Sequence, residues 1–375
     1  SAVITAIASR LIPGIKALTV GFDVASYSEV DDAHEIAKHL NVDHIVLKGN
    51  CQQFRDAFEK VVFALDSPVA DPSTVAIYMI AREAASHVKV MLSGEGSDEL
   101  FAGYKTYRDS LGAGRFENAP GFVKTACRGL SHVIPDGVKG KNFLMRAGMP
   151  LEERYVGNAF LFNEKQKKAF LKCYNPNQSY TELTRPYYDQ VADRDPLIKM
   201  QHIDIATWLK GDILAKGDRL SMGNSLEVRV PFLDKEVFKF ASTLKNSDKL
   251  QNGTTKYILR YAFQDYVDPA TFMRPKLGYP VPVRVWLRNE LYEWARDIIK
   301  NSKADAFVDT QAALKMLEDH RAGKADNYRK LWSILVFITW YRLYIAEADK
   351  TRERILRGEL SYSQRNAWFD RGEKH

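Results

Sequence analysis

One run of seven residues constrains the fold of this chain more than any other. Ser93-Gly94-Glu95-Gly96-Ser97-Asp98-Glu99 follows the apolar stretch Val88-Lys89-Val90-Met91-Leu92 without a break. A strand must therefore hand over to a turn that holds two glycines, two hydroxyls and three carboxylates. Glycines let a backbone approach a phosphate or an adenine edge closely, and a helix starting near Ser97 aims unpaired N–H groups at anions. Acids beside phosphates repel them unless a divalent cation lies between. That makes Asp98 and Glu99 candidate Mg²⁺ ligands, or Glu95 a proton-handling group. An acidic strand-to-helix turn, with Ser97 as N-cap and Asp98 and Glu99 favouring the helix dipole, accounts for the same residues without any ligand.

Upstream of this turn the hydrophobic period alternates. Residues 2–11 read as an apolar helix, 16–22 as a strand, 29–40 as an amphipathic helix and 43–47 as a strand; 51–65 and 73–85 then read as helices before the strand at 88–92. Strands separated by helices of this length imply right-handed βαβ units and a parallel sheet. Ligands bind beyond the carboxyl ends of such strands, where Val20-Gly21-Phe22 and Leu92-Ser93-Gly94 both lie. After Tyr107 the strand signal fades, and helical periodicity dominates from Pro120 onward, broken at 112–121, 133–137 and 274–282. The expected class is α/β, with residues 1–110 as a nucleotide-binding part and 111–375 as a helical part that completes the site. A chain of 375 residues is long enough for both.

Composition excludes several classes of protein. The 45% hydrophobic and 27% charged fractions are ordinary for a soluble globular chain. No apolar run approaches the ~20 residues of a membrane span, and Ser1-Ala2-Val3-Ile4 lacks a basic region ahead of a cleavable core, so a cytoplasmic location is expected. Cys51, Cys127 and Cys173 form no CxxC pair and are expected to be buried or inert thiols. The net charge of +7 is spread along the chain. Its one cluster, Lys350-Thr351-Arg352-Glu353-Arg354, is interleaved with acid and reads as a solvated helical face rather than a nucleic-acid stripe.

Two further stretches carry chemistry. Gly211-Asp212-Ile213-Leu214-Ala215-Lys216-Gly217-Asp218-Arg219-Leu220-Ser221-Met222, continuing into Ser225-Leu226-Glu227-Val228-Arg229-Val230-Pro231-Phe232-Leu233-Asp234, sets charges among apolar residues. Asp218 with Arg219, and Glu227 with Arg229, are expected to form internal ion pairs or to meet a charged ligand. Arg274-Pro275-Lys276-Leu277-Gly278-Tyr279-Pro280 presents a lysine on a loop stiffened by prolines, suited to a phosphate, although a lone loop lysine is usually just solvated.

Together these stretches resemble the synthetase domain of glutamine-dependent asparagine synthetases, members of the N-type ATP pyrophosphatase superfamily. Residues 92–104 resemble that family's LSGEGSDELFxGY signature, 218–234 its DRxSMxxSLExRxPFLD stretch, and 274–280 its RPKxGF loop, with Tyr279 in place of phenylalanine. Tyr27-Ser28-Glu29, Asp66-Ser67-Pro68 and Asp71-Pro72-Ser73 agree further. The resemblance runs from Ser1 to about Ala346. It implies an adenine nucleotide alpha hydrolase-like parallel sheet flanked by helices. It also implies ATP and Mg²⁺ as cofactors, and aspartate with ammonia or glutamine as substrates.

Residue by residue, the resemblance implies that Val20 contacts adenine and that Ser93 and Gly94 hold the ribose or adenine through main-chain groups. Glu95 would serve the β-aspartyl-AMP step, Asp98 would ligate Mg²⁺, and Lys276 would neutralise the departing pyrophosphate. Asp218, Arg219, Glu227 and Arg229 would frame the amino-acid side. Two family elements are expected ahead of Ser1: a glutaminase domain, and the first strand with most of an SGGxDS loop. This sequence is accordingly expected to be part of a longer polypeptide, and Ser1 to be the end of that loop. Whether two copies pair as a homodimer stays open. The rival readings are a β-lactam or macrolactam synthetase, a nucleotide-binding module without turnover, and a tRNA-modifying relative that the charge pattern does not favour.

Overall fold

The computed structural model describes residues 1–134, 140–147, 149–268 and 281–361. Its first hundred residues follow the expected alternation: α1 (Ala2–Leu11), β1 (Lys16–Phe22), α2 (Val30–His39), β2 (Asp43–Gly49), α3 (Cys51–Leu65), α4 (Ser73–Ala84), β3 (Val90–Leu92) and α5 (Ser97–Leu100). Local chemistry sets the limits of α3. The Asn50 side chain accepts from the Gln53 N–H while the Gln53 side chain accepts from the Asn50 N–H, a reciprocal cap. Buried Phe54, Ala57, Phe58, Val61, Val62 and Leu65 then recur at helical spacing along one face. Asp66, at φ 49°, turns the chain out of the helix in the left-handed region.

The strands around the glycine-rich turn are parallel, as expected, but they form two separate pairs; a short antiparallel pair, Leu250–Gln251 with Thr254–Thr255, lies apart from them in the sequence. β1 pairs with β2 in the register Val20 to Leu47, and β3 pairs with β4 (Glu227–Arg229) in the register Met91 to Val228. Helix α4 joins them. Its Ala81 and Ala84 are buried with Leu226 in a cluster that Leu18 of β1, Met91 of β3 and Val228 of β4 all pack against. The strand ends that matter for ligands therefore rest on one shared helix.

Beyond residue 105 the described chain is mainly helical. One long helical run has three contiguous parts: α6 (Pro196–Asp204), a π-helical segment (Ile205–Ile213) and α7 (Leu214–Met222). The largest core cluster draws on both halves of the sequence. Trp332, in α8 (Tyr328–Tyr341), is fully buried with its ring centroid 5.4 Å from Phe54 and 5.0 Å from Phe58 of α3. Packing on this scale locks α3, and with it the Asp66 turn, against the C-terminal helices.

Two expectations need correcting. The three cysteines are free, as the lack of a CxxC pair implies, but none is fully buried: Cys51 and Cys127 are half-buried and Cys173 is exposed. The basic cluster near residue 350 lies on α9 (Ala348–Leu356), but it is not wholly solvated. Arg354 reaches back to the Glu59 carboxylate of α3, which also pairs with Arg342. Among the described residues no single helix is long and apolar enough to cross a membrane.

Candidate active site

The glycine-rich turn forms where β3 ends. The Ser93 N–H donates to the Arg229 carbonyl at 2.8 Å, which extends the β3–β4 pairing by one residue. Gly94 admits the start of the chain: a Cβ there would come 2.6 Å from the Ser1 nitrogen. Gly96 has φ +83°, and a Cβ on it would lie 2.3 Å from Leu233 Cδ2. No other residue type fits both that angle and that space. Gly96 is therefore the cap position of α5, in place of Ser97. The Ser97 hydroxyl instead donates back to the Gly94 carbonyl at 3.0 Å and accepts from Lys256 Nζ at 2.8 Å.

The three carboxylates of the turn go to three different environments. Asp98 lies 3.0 Å from Lys256 Nζ and packs onto Gly103, where a Cβ would sit 1.9 Å from its Oδ1. Glu99, a candidate ligand by spacing, turns inward. It is buried, accepts the Tyr104 hydroxyl at 2.6 Å, and has its acidity weakened chiefly by burial. That removes it from the metal-ligand set. Glu95 faces helix α7, where a Cβ on Gly217 would approach its Oε2 to 3.1 Å. Burial pushes the Glu95 carboxyl up to about 7, with Lys216 pulling the other way and Glu99 and Asp212 adding to the rise.

Behind Glu95 stands a cluster that sequence reasoning did not single out. Lys216 is buried, bonds Asp71, and donates to Asp212 Oδ2 at 2.9 Å, with Nζ 5.8 Å from the centroid of the Trp208 ring. Asp71 also accepts the Ser73 N–H at 2.9 Å. Burial opposes ionisation of Asp71, yet Lys216 and Ser73 hold it below the usual carboxylate range. Asp212 goes the other way, pushed up to about 6 by burial despite Lys216. Asp71, Asp212 and Trp208 line a cavity of about 800 Å³ together with Tyr27, Tyr328 and Arg329. That volume lies within the range of small-molecule sites.

The remaining expected residues are placed unevenly. Val20 is half-buried on β1, opposite Leu47. Arg219 does not pair with Asp218; it bonds the Asp66 carboxylate and the Leu65 carbonyl, and so ties α7 to the end of α3. Asp218 is exposed. Glu227 and Arg229 do pair, at 2.7 Å, but on the exposed face of β4 rather than internally. Charges two apart on a strand share a face, and here that face is the solvated one. Lys276 and its loop lie outside the described residues.

As a donor set for Mg²⁺, Asp98 supplies one carboxylate beside the Ser97 hydroxyl, and among the described residues no group of three or more metal-binding side chains gathers anywhere. This suits a cation that takes one or two carboxylates and completes its shell with water and substrate phosphates; it does not suit a cation caged by protein alone.

The glycine-rich turn lies at the carboxyl end of β3, the position where ligands bind in open α/β sheets. The model of the asparagine synthase family matches residues 1–342, and the chain belongs to that family. It is 43% identical to asparagine synthetase [glutamine-hydrolyzing] 1 of Bacillus subtilis over 98% of this chain and 57% of that protein. It is 44% identical to a putative asparagine synthetase of Mycobacterium bovis over 92% of this chain and 53% of that protein. A more remote relative, amidase chyE of Penicillium rubens, is 26% identical over 83% of the chain and 50% of its own length. The chain thus spans a little over half the length of its two similar synthetase relatives.

Proposed function

We propose that this chain is the synthetase part of a glutamine-dependent asparagine synthetase, activating the side-chain carboxylate of aspartate with ATP and transferring it to ammonia. The observation that carries the reading is Glu95: a carboxyl brought close to neutral pH, on a glycine turn at a strand's end, facing a cavity-side cluster of fixed charges. A general base works best when its pKa lies near the operating pH.

A carboxylate is a poor electrophile, and ammonia cannot displace oxide from it. In the proposed sequence an aspartate side-chain oxygen attacks the α-phosphorus of ATP, the bond to the bridging oxygen breaks, and pyrophosphate leaves. Ammonia then adds to the acyl carbon, Glu95 takes the proton from nitrogen, and AMP departs as the amide forms. Ser93 and Gly94 hold the nucleotide through main-chain groups, with Val20 at the adenine. Asp98 would hold Mg²⁺, which when bound supplies positive charge to the polyphosphate. Lys276 adds a second cation on the pyrophosphate side. For the amino acid, Asp71, Asp212 and Arg329 offer both signs of charge in the cavity, as a zwitterion requires. Asp218, Arg219, Glu227 and Arg229 are assigned to that side by the family resemblance; they lie on α7 and β4 and do not line the cavity. A glutaminase domain elsewhere in the polypeptide would supply the ammonia, and the assembly would work in the cytoplasm.

The purified protein with aspartate, ATP, Mg²⁺ and ammonium salt is expected to release AMP, pyrophosphate and asparagine in equal amounts. Release of ADP, or AMP release indifferent to aspartate, would refute the reading. A lactam-forming relative would differ in the same assay, because its acceptor amine lies within the acyl substrate.

A further inference from the structure

We propose that Lys216 is the positioning residue of this centre, a buried cation that gathers Asp71 and Asp212 and thereby fixes the setting in which Glu95 takes up its proton. The proposal rests on the reading of Glu95 as the proton acceptor. Its geometry stands apart from that reading. Lys216 joins three separate segments: the loop before α4 through Asp71, the end of the π-helical segment through Asp212, and α7, whose next residue, Gly217, lies against the Glu95 carboxylate. π-Helical turns inside longer helices recur at functional sites, and this one ends one residue past Asp212.

The charge balance is what a purely structural ion pair would not need. One carboxylate neutralises a buried lysine; two leave the cluster net negative, beside two further acids, half-buried Glu95 and buried Glu99. An apolar replacement of equal volume is commonly as stable as a buried ion pair, so stability alone does not call for this arrangement. Among the described residues, the charged groups that act on Glu95 come from three elements. Lys216 and Asp212 face it from the long helix, Glu99 from its own helix, and Asp71 from behind Lys216; Arg329 acts on Asp212. Among the described residues, Lys216 is the cation that offsets the acids around Glu95.

The test is a titration that needs no turnover. In protein carrying ¹³C at glutamate side-chain carboxyls, the Glu95 signal is the one missing from Glu95→Gln. Its midpoint is expected near 7 in the parent protein. In Lys216→Met it should rise by roughly one unit, the effect of removing one nearby opposite charge. Lys216→Arg should return it toward the parent value, and Asp212→Asn should lower it. The acid limb of asparagine formation should move with each midpoint. An unmoved midpoint in Lys216→Met, or displacement of Lys216→Met and Asp212→Asn in the same direction, overturns the proposal. If Lys216→Met does not fold, Lys216→Arg and Asp212→Asn decide alone: a parent-like midpoint in the first with a lowered one in the second supports it, and any other pair of values overturns it. Midpoints that move as stated while no protein forms asparagine would leave Lys216 in place and sink the functional reading instead.

Discussion

Replacing Glu95 by glutamine should stabilise the protein at pH 8 while removing its synthetic activity. Glu95 ordinarily titrates at 4.5 and is pushed up to about 7 in the fold, chiefly by burial. A shift of about 2.5 units at 1.36 kcal/mol each is roughly 3 kcal/mol, and partial exposure of the residue reduces this to about 2 kcal/mol. The sign follows from linkage. A group whose pKa is raised by folding favours the native state while both forms are protonated, below 4.5. That advantage is lost as pH climbs through the window from 4.5 to 7, where the native state must ionise a carboxyl it holds poorly. Glutamine keeps the shape and carries no charge, so it escapes the loss. Urea unfolding of both proteins at pH 5 and pH 8 should therefore show a gap that is small at the lower pH and about 2 kcal/mol in favour of Glu95→Gln at the higher. Asparagine formation should fall by roughly 10²- to 10⁴-fold with loss of the base. A gap that does not grow with pH, or a parent protein more stable than the variant at pH 8, would refute the placement of Glu95 in a desolvated site.

Other substitutions probe the turn and the core. Gly96→Ala forces a Cβ to within 2.3 Å of Leu233 Cδ2 at φ +83° and should cost at least ~2 kcal/mol in urea unfolding, with loss of aspartate-dependent ATP–pyrophosphate exchange. Asp98→Asn should raise the Mg²⁺ concentration needed for half-maximal activity roughly tenfold, on the scale of one lost charge-assisted contact; an unchanged Mg²⁺ titration would remove Asp98 from the metal site. Trp332→Ala leaves a cavity between Phe54 and Phe58 and should cost about 3 to 5 kcal/mol, measured as a lower urea midpoint with an unchanged slope.

Most of the fold in the first hundred residues was legible because each element there carries its own local signal. The strand at Lys16–Phe22 and the helix at Cys51–Leu65 begin and end where apolar period and capping residues say they should. What periodicity does not encode is which strand lies beside which. β3 finds its partner in β4, more than a hundred residues downstream, and the union depends on α4 packing against both. The turn after β3 was legible as a turn from its glycines, but its cap was not: Gly96, whose φ of +83° suits glycine, takes the place expected for Ser97. The charges of residues 211–229 misled for a definite reason. Neighbours in sequence were expected to pair, whereas on a helix adjacent residues point about 100° apart, so Arg219 turns to Asp66 and leaves Asp218 in solvent. The same geometry held the missed signal. Trp208, Asp212 and Lys216 fall at four-residue steps, the spacing that stacks side chains on one helical face, and a lysine placed there between an acid and an aromatic ring is sheltered from water. That triplet, rather than Asp218 and Arg219, was the part of the stretch that pointed inward, and its remaining partner, Asp71, sits in an Asp-Pro-Ser turn whose acid was read only as part of a matching string.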